Sequence, residues 1–171
     1  MNVIIRPVRV QDEADIYAAA AEFAGSGFDW STLPPDGDVT WTQYVELLAH
    51  WEQGRHLPPG WVPASTRVAE VDGEVAGRLS VRHELNEFLA LVGGHIGYGV
   101  REVFRRQGIA TALLTEGLNI LRGMEISSAV VTCKDSNIGS AAVIEKCHGV
   151  LRDRVAHPAT GDLMRRYDIS L

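Results

Sequence analysis

Cysteine is scarce: Cys133 and Cys147 are the two in 171 residues. Two cysteines make no disulfide framework, neither has metal-site spacing, and the six histidines are scattered, so no metal is expected. Cys133 falls inside an apolar run and reads as a small buried hydrophobe. Long apolar runs are missing too. No stretch is long enough to span a bilayer, and the N-terminal MNVIIRPV lacks a signal-peptide layout, which predicts a cytoplasmic protein with no membrane partner. Positive charge is short. The net charge of −6 argues against a nucleic-acid partner and mildly favours cationic ligands such as amines. Internal repeats and low-complexity segments are absent. What remains is globular composition, 46% hydrophobic and 22% charged, and a length that fits one domain over residues 1–171.

The hydrophobic period changes along the chain. Val3 to Val8 reads as a strand, with Pro7 marking its end or a sheet edge. A helix from Glu13 to Ala24 carries Ile16, Ala19, Ala20 and Phe23 on one face. Residues 25–38 form a loop, and Thr40-Trp41-Thr42-Gln43 has the capping-box pattern that predicts a second helix from Trp41 to Gln53. Trp30, Trp41, Trp51 and Trp61 fit packing of this helical pair. Thr66–Val71 and Glu74–Val81 alternate around Asp72-Gly73, a type I′ hairpin signal. Residues 82–88 read as a polar connection. Further on, Ser127–Cys133 is a buried strand reached by a right-handed parallel crossover. Asp135-Ser136-Asn137 supplies caps for a helix over Ile138–Cys147. A strand starts at Gly149-Val150-Leu151, 157–161 turns, and Leu163–Ile169 closes the sheet. The sum is an α+β (mixed α/β) fold, a twisted mixed sheet of about seven strands with about four helices.

Between these halves lies the stretch from Gly94 to Arg122. His95 to Val100 is strand-like, and Ala110, Leu113, Leu114, Gly117, Leu118 and Leu121 make one apolar helical face. Arg122-Gly123 predicts the helix end, with glycine just past it. The junction carries the chemistry. A helix N-terminus presents unpaired N–H groups and favours negative charge. Gly108 lets a ligand approach the backbone, and Arg105 and Arg106 add positive charge. This is a site for a phosphate or pyrophosphate.

Arg105-Arg106-Gln107-Gly108-Ile109-Ala110 fits Q/R-x-x-G-x-G/A, and so resembles the acyl-CoA pyrophosphate signature of the GNAT superfamily of N-acetyltransferases. Gly97-Tyr98-Gly99-Val100-Arg101 looks like that family's central strand, and Asn137 with Ser140 stands where the family has Asn-x-x-Ser. The resemblance covers about residues 64 to 155, and more loosely the whole chain. It implies acetyl-CoA as co-substrate, lying where the central strand and Ser127–Cys133 splay apart. Its pantetheine would pair with backbone at Tyr98, Gly99 and Val100, its pyrophosphate would rest on amides from Arg106 to Thr111, and Asn137 and Ser140 would assist. An amine would attack the thioester directly, with a central-strand N–H on the oxyanion.

The pattern breaks at one place. Seven residues after the asparagine, where many relatives carry a tyrosine acid, stands Ile144, and Tyr98 and Tyr167 are the substitutes. After that helix, His148-Gly149 replaces the family's common glycine–phenylalanine. Glu84, Glu87 and His83 are the candidates for the general base, while His95 reads as structural. The neighbours Cys147 and His148 are no nucleophile pair, because adjacent residues near a helix end do not face each other. The expected activity is N-acetylation of a small-molecule or peptide amine. The alternative is an acyl-CoA-binding sensor or interaction domain without turnover. Dinucleotide binding fits poorly, since Gly97-x-Gly99 lacks a third glycine. Asp29, Asp36, Asp38, Glu84 and Glu87 lean towards a cationic acceptor, and a homodimer through sheet edges or the Trp-bearing region is an option.

Overall fold

A computed structural model of the chain describes residues 2–25, 30, 34 and 38–171. Asp29 and Asp36 lie outside the described residues. Among the described residues seven strands form one sheet in the order β1-β2-β3-β4-β5-β7-β6. They are β1 (Val3–Pro7), β2 (Ala64–Val71), β3 (Glu74–Arg82), β4 (Ile96–Val100), β5 (Ser128–Lys134), β6 (Val150–Ala156) and β7 (Leu163–Ser170). The helices are α1 (Glu13–Phe23), α2 (Trp41–Glu52), α3 (Ile109–Gly123) and α4 (Ile138–Lys146). All neighbouring strands run antiparallel except β4 and β5. The β2–β3 turn has Asp72 at φ 50 and Gly73 at φ 90, the double positive φ of a type I′ turn.

Alternation along the strands divides the core in two. Ala69, Leu79, Val81, Ile96, Val131 and Tyr167 face α3 and α4. Gly117 lets α3 lie close to the sheet, since a Cβ there would stand 3.0 Å from Ile96 Cδ1. Val68 and Val75 point the other way, against Ile16, Ala19, Trp41, Tyr44 and Trp51 of α1 and α2. Trp30, Trp41 and Trp51 are buried there, whereas Trp61 is exposed and tilts against Trp51. Thr40 caps α2 through the reciprocal pair with Gln43.

The end of α3 differs from expectation, and α4 closes with the same motif. α3 runs through Gly123, and the left-handed residue is Glu125 at φ 59. Ile126 N donates to Leu121 O and Glu125 N to Arg122 O, a Schellman motif in which Ile126 takes the apolar position beyond the cap. α4 repeats this with His148 at φ 66, Gly149 N donating to Ile144 O and His148 N to Glu145 O. Glycine is required at 149 by contact rather than φ, because a Cβ there would stand 2.4 Å from Ile144 Cγ2.

The connection before β4 is more than a polar link. Leu89–Gly93 forms a π-helical turn, held by Asn86 Oδ1 on Leu89 N and fastened to the far half of the sheet. Thr132 Oγ1 donates to Val92 O, Arg166 Nη1 to Ala90 O, and Phe88 stands edge-on to His157. Gly94 (φ 66) ends it where a Cβ would lie 2.6 Å from Val130 O, so only glycine fits.

Candidate active site

β4 pairs with β3 over five residues but with β5 only at Ile96–Val131. Beyond Ile96 the two parallel strands part, and the sheet has a wedge in its middle. The antiparallel ladder decides which groups line it. Arg82 N donates to His95 O and Arg101 N to Ala76 O, so Gly97 and Gly99 between them turn their polar groups to β3, while the N–H of His95 turns to Val130 O of β5. Ile96, Tyr98 and Val100 turn theirs to β5, and past Ile96 that side has no strand. Tyr98 therefore presents its main-chain N–H and C=O, and Val100 its N–H, as an open edge inside the sheet. Gly99, grouped with them on the sequence, is paired with Arg78 of β3 instead.

At the wide end of the wedge the chain turns through Arg106 (φ 64), Gln107 and Gly108 (φ 85) into α3. Alternating left-handed residues point successive N–H groups to one side and form an anion-binding nest. No side chain caps α3, and its first main-chain bond is Ala112 N to Gly108 O. The N–H groups of Ile109, Ala110 and Thr111 thus have no partner within the helix. Gly108 has nothing within 4 Å of where a Cβ would be, so the loop is open above it. Arg105 and Arg106 part company. Arg105 Nε donates to Val100 O at 3.1 Å and its guanidinium lies 5.9 Å from the Phe23 ring, which ties it to β4 rather than to the loop. Gln107 reaches back to Val103 O. Arg106 is exposed.

α4 starts beside the same wedge. Asn137 Oδ1 accepts Ser140 N at 3.0 Å, so Asn137 caps α4. Ser140 Oγ lies 2.8 Å from Tyr98 Oη, a bridge from the central strand to the first turn of α4. Burial pushes the Tyr98 phenol far above its ordinary range, and so keeps it protonated. Ile144 is fully buried under Gly149. Tyr167 is fully buried too, its hydroxyl on Glu145. Of the three positions, only Tyr98 puts a hydroxyl towards the wedge end of α4.

Glu84 and Glu87 are exposed on the segment between β3 and the π-helical turn. His83 is half-buried, and its Nε2 lies 2.8 Å from Ser65 Oγ. Ser65 donates its single hydroxyl proton to Glu52 Oε1, and Arg67 clasps both Glu52 oxygens. Ser65 can therefore only accept from His83, which places a proton on Nε2 and leaves the Nδ1 lone pair available. Burial lowers the His83 pKa, favouring the neutral ring. This relay was not legible from sequence, because Ser65 and His83 meet through the register of β2 on β3 and Glu52 joins them only through the packing of α2 on β2. Asp38 stands elsewhere, in an open groove of about 470 Å³ with Gln43, Glu46 and His50 of α2.

The profile of the "Acetyltransferase (GNAT) family" matches residues 28–150. The chain belongs to the GNAT acetyltransferase family. No match was found among curated proteins. Among solved structures it is similar to a GNAT-family acetyltransferase from Streptococcus pneumoniae at 15% identity, covering 99% of this chain and 100% of that one with a TM-score of 0.68. It is similar to Mycobacterium smegmatis RimJ in complex with CoA-disulfide at 22% identity, 98% and 81% coverage and TM-score 0.69. A third is yncA of Salmonella typhimurium with its cofactor acetyl-CoA, at 15% identity, 99% and 94% coverage and TM-score 0.63. At these identities the likeness is one of fold, and this GNAT chain keeps it from end to end. Among the described residues no helix is long and apolar enough to cross a membrane, and no group of three or more His, Cys, Asp or Glu could hold a metal.

Proposed function

We propose that this GNAT protein transfers an acetyl group from acetyl-CoA to a primary amine by direct attack in a ternary complex. The parting of β4 from β5 after Ile96–Val131, in line with the open nest before α3, carries the reading. The cofactor's pyrophosphate sits on the amides from Arg106 to Thr111. Its pantetheine runs along β4 as an added strand, on the polar groups of Tyr98 and the N–H of Val100. Asn137, through the amide nitrogen its capping bond leaves over, and Ser140 flank it. That RimJ and yncA were solved with CoA species supports this placement.

In the transfer step the neutral amine attacks the thioester carbon, and the C–S bond breaks as the tetrahedral centre collapses. The Tyr98 N–H, aimed into the wedge, stabilises the oxyanion. Glu84, Glu87 or His83 takes the amine proton, directly or through water, and His83 has the orienting relay that a base needs. The Tyr98 hydroxyl gives the leaving thiolate its proton and is resupplied through Ser140. Binding without turnover is the second reading, and the sealing of Ile144 in the core favours it. Thiol release from acetyl-CoA across an amine panel, with mass detection of the acetylated product, decides between them. Release dependent on an amine supports transfer. Cofactor binding with no release from any amine leaves the second reading.

A further inference from the structure

We infer that His95 is a positioning residue for the transfer: its ring clasps the Val130 main chain and holds β5 against β4 at the closed end of the wedge, where the thioester meets the Tyr98 N–H. The inference rests on the acetyl-transfer reading above.

The sheet is weakly joined at this point. β1 to β4 lie on one side and β5, β7 and β6 on the other, and the two halves of the sheet meet in the single bridged pair Ile96–Val131. β3, by contrast, holds β4 over five pairs. His95 adds two hydrogen bonds next to that one pair. Its N–H donates to Val130 O at 2.7 Å, and its ring Nδ1 accepts the Val130 N–H at 2.9 Å in a buried bond. One residue thus takes both polar groups of Val130. β4 begins at Ile96, so the ring stands in for the strand carbonyl that a longer β4 would offer. The carbonyl of His95 accepts Arg82 N of β3 at 2.7 Å. His95 is therefore tied to β3 by its C=O and to β5 by its N–H and its ring. Gly94 brings the chain close enough for the ring to reach, since a Cβ there would stand 2.6 Å from Val130 O.

A main-chain N–H can only donate, so Nδ1 carries the lone pair and the ring proton is on Nε2. Burial lowers the His95 pKa, and the nearby Arg82 charge acts in the same direction, so the ring is a neutral acceptor. Its one lone pair is spent on Val130. His95 is thus no general base, and it acts on the reaction through β5.

With the phosphates at the nest, the cofactor's arm runs back along β4, and from Val100 to Ile96 is roughly 13 Å of strand. The thioester then lies between Tyr98 and the diverging β5, close to the Ile96–Val131 pair. How well its carbonyl meets the Tyr98 N–H depends on where β5 stands. A misplacement of about 1 Å at such a point costs on the order of 100-fold in rate.

The test compares His95→Asn with His95→Leu. Asparagine Oδ1 stands as many bonds from Cα as histidine Nδ1 and can take the Val130 N–H, whereas a leucine methyl cannot. The expected kcat for thiol release with an amine falls about tenfold or more in His95→Leu, KM for acetyl-CoA stays within about threefold, and His95→Asn recovers most of the loss. Thermal unfolding confirms that each variant is folded, and His95→Phe, which keeps the bulk of a ring without the acceptor, replaces a leucine variant that is not. A lower Tm in His95→Leu with an unchanged kcat makes His95 merely structural and overturns the inference, as does a loss that asparagine fails to recover. Independently of turnover, the amide proton signal of Tyr98 moves when acetyl-CoA replaces CoA in the complex, and this movement is lost in His95→Leu and kept in His95→Asn. A Tyr98 signal that does not move in the wild type, or moves equally in His95→Leu, overturns the positioning role and leaves acetyl transfer standing wherever thiol is released. Movement that depends on the clasp, without thiol release from any amine, does the reverse.

Discussion

Tyr98 and Ser140 hold hydroxyl to hydroxyl at 2.8 Å across the wedge between β4 and α4. One partner comes from the strand whose N–H faces the cofactor edge, the other from the turn capped by Asn137. The main chain of Tyr98 and its side chain thus serve different parts of one site.

Tyr98→Phe removes the phenol and keeps the ring. If the phenol protonates the leaving thiolate, kcat falls about 100-fold while KM for acetyl-CoA changes little. The lost hydrogen bond lowers stability by about 1 kcal/mol. Steady-state kinetics and thermal unfolding read the two effects separately. An unchanged kcat removes Tyr98 from the proton path.

Gly94 and Gly73 separate backbone strain from collision. Both have positive φ, but a Cβ at 73 meets nothing within 4 Å and one at 94 meets Val130 O at 2.6 Å. Gly73→Ala should cost about 1 kcal/mol from conformation alone. Gly94→Ala adds displacement of the β5 backbone and should cost about 3 kcal/mol, a fall of roughly 6–12 °C in Tm. Comparable losses for the two variants would contradict the close approach of Gly94 to β5.

Acid should unfold the protein partly through two histidines that folding desolvates. His83 and His95 both have folded pKa values below their ordinary 6.5, with burial the leading cause. The unfolded chain then binds more protons than the folded one between the lowered pKa and 6.5. Stability is full above pH 6.5 and is lost as the pH falls through that window. Tm measured from pH 8 to pH 5 should be flat and then drop, and His95→Asn should soften the drop. A Tm that rises on acidification contradicts the direction of both shifts.

Much of this was readable in the chain. The seven strands and four helices follow from alternation, helical period and the Thr40–Gln43 and Asn137 caps, because these signals are local. The Gly108 junction was legible for the same reason, since its φ and its nest are set by adjacent residues. The true end of α3 and the motif that closes α4 were not, because Glu125 and His148 adopt left-handed φ that glycine usually takes, held by Schellman bonds the sequence does not announce. The π-helical turn was missed although Leu89-Ala90-Leu91-Val92 is apolar, because its partners Thr132 and Arg166 lie far along the chain. The Glu52–Ser65–His83 relay was hidden because it needs both the β2–β3 register and the packing of α2. Which β4 groups face the wedge depends on ladder phase, and only the Arg82–His95 and Arg101–Ala76 bonds fix it.

The most direct measurement is calorimetric titration of acetyl-CoA onto the wild type, Gly108→Ala and Gly108→Glu. Alanine at 108 carries the strain of φ 85 without charge, and glutamate adds an anion where the pyrophosphate should sit. The account predicts that the wild type binds, that alanine weakens binding modestly, and that folded Gly108→Glu loses about 100-fold or more. A folded wild type that does not bind acetyl-CoA, or a Gly108→Glu variant that binds as tightly as the wild type, contradicts it.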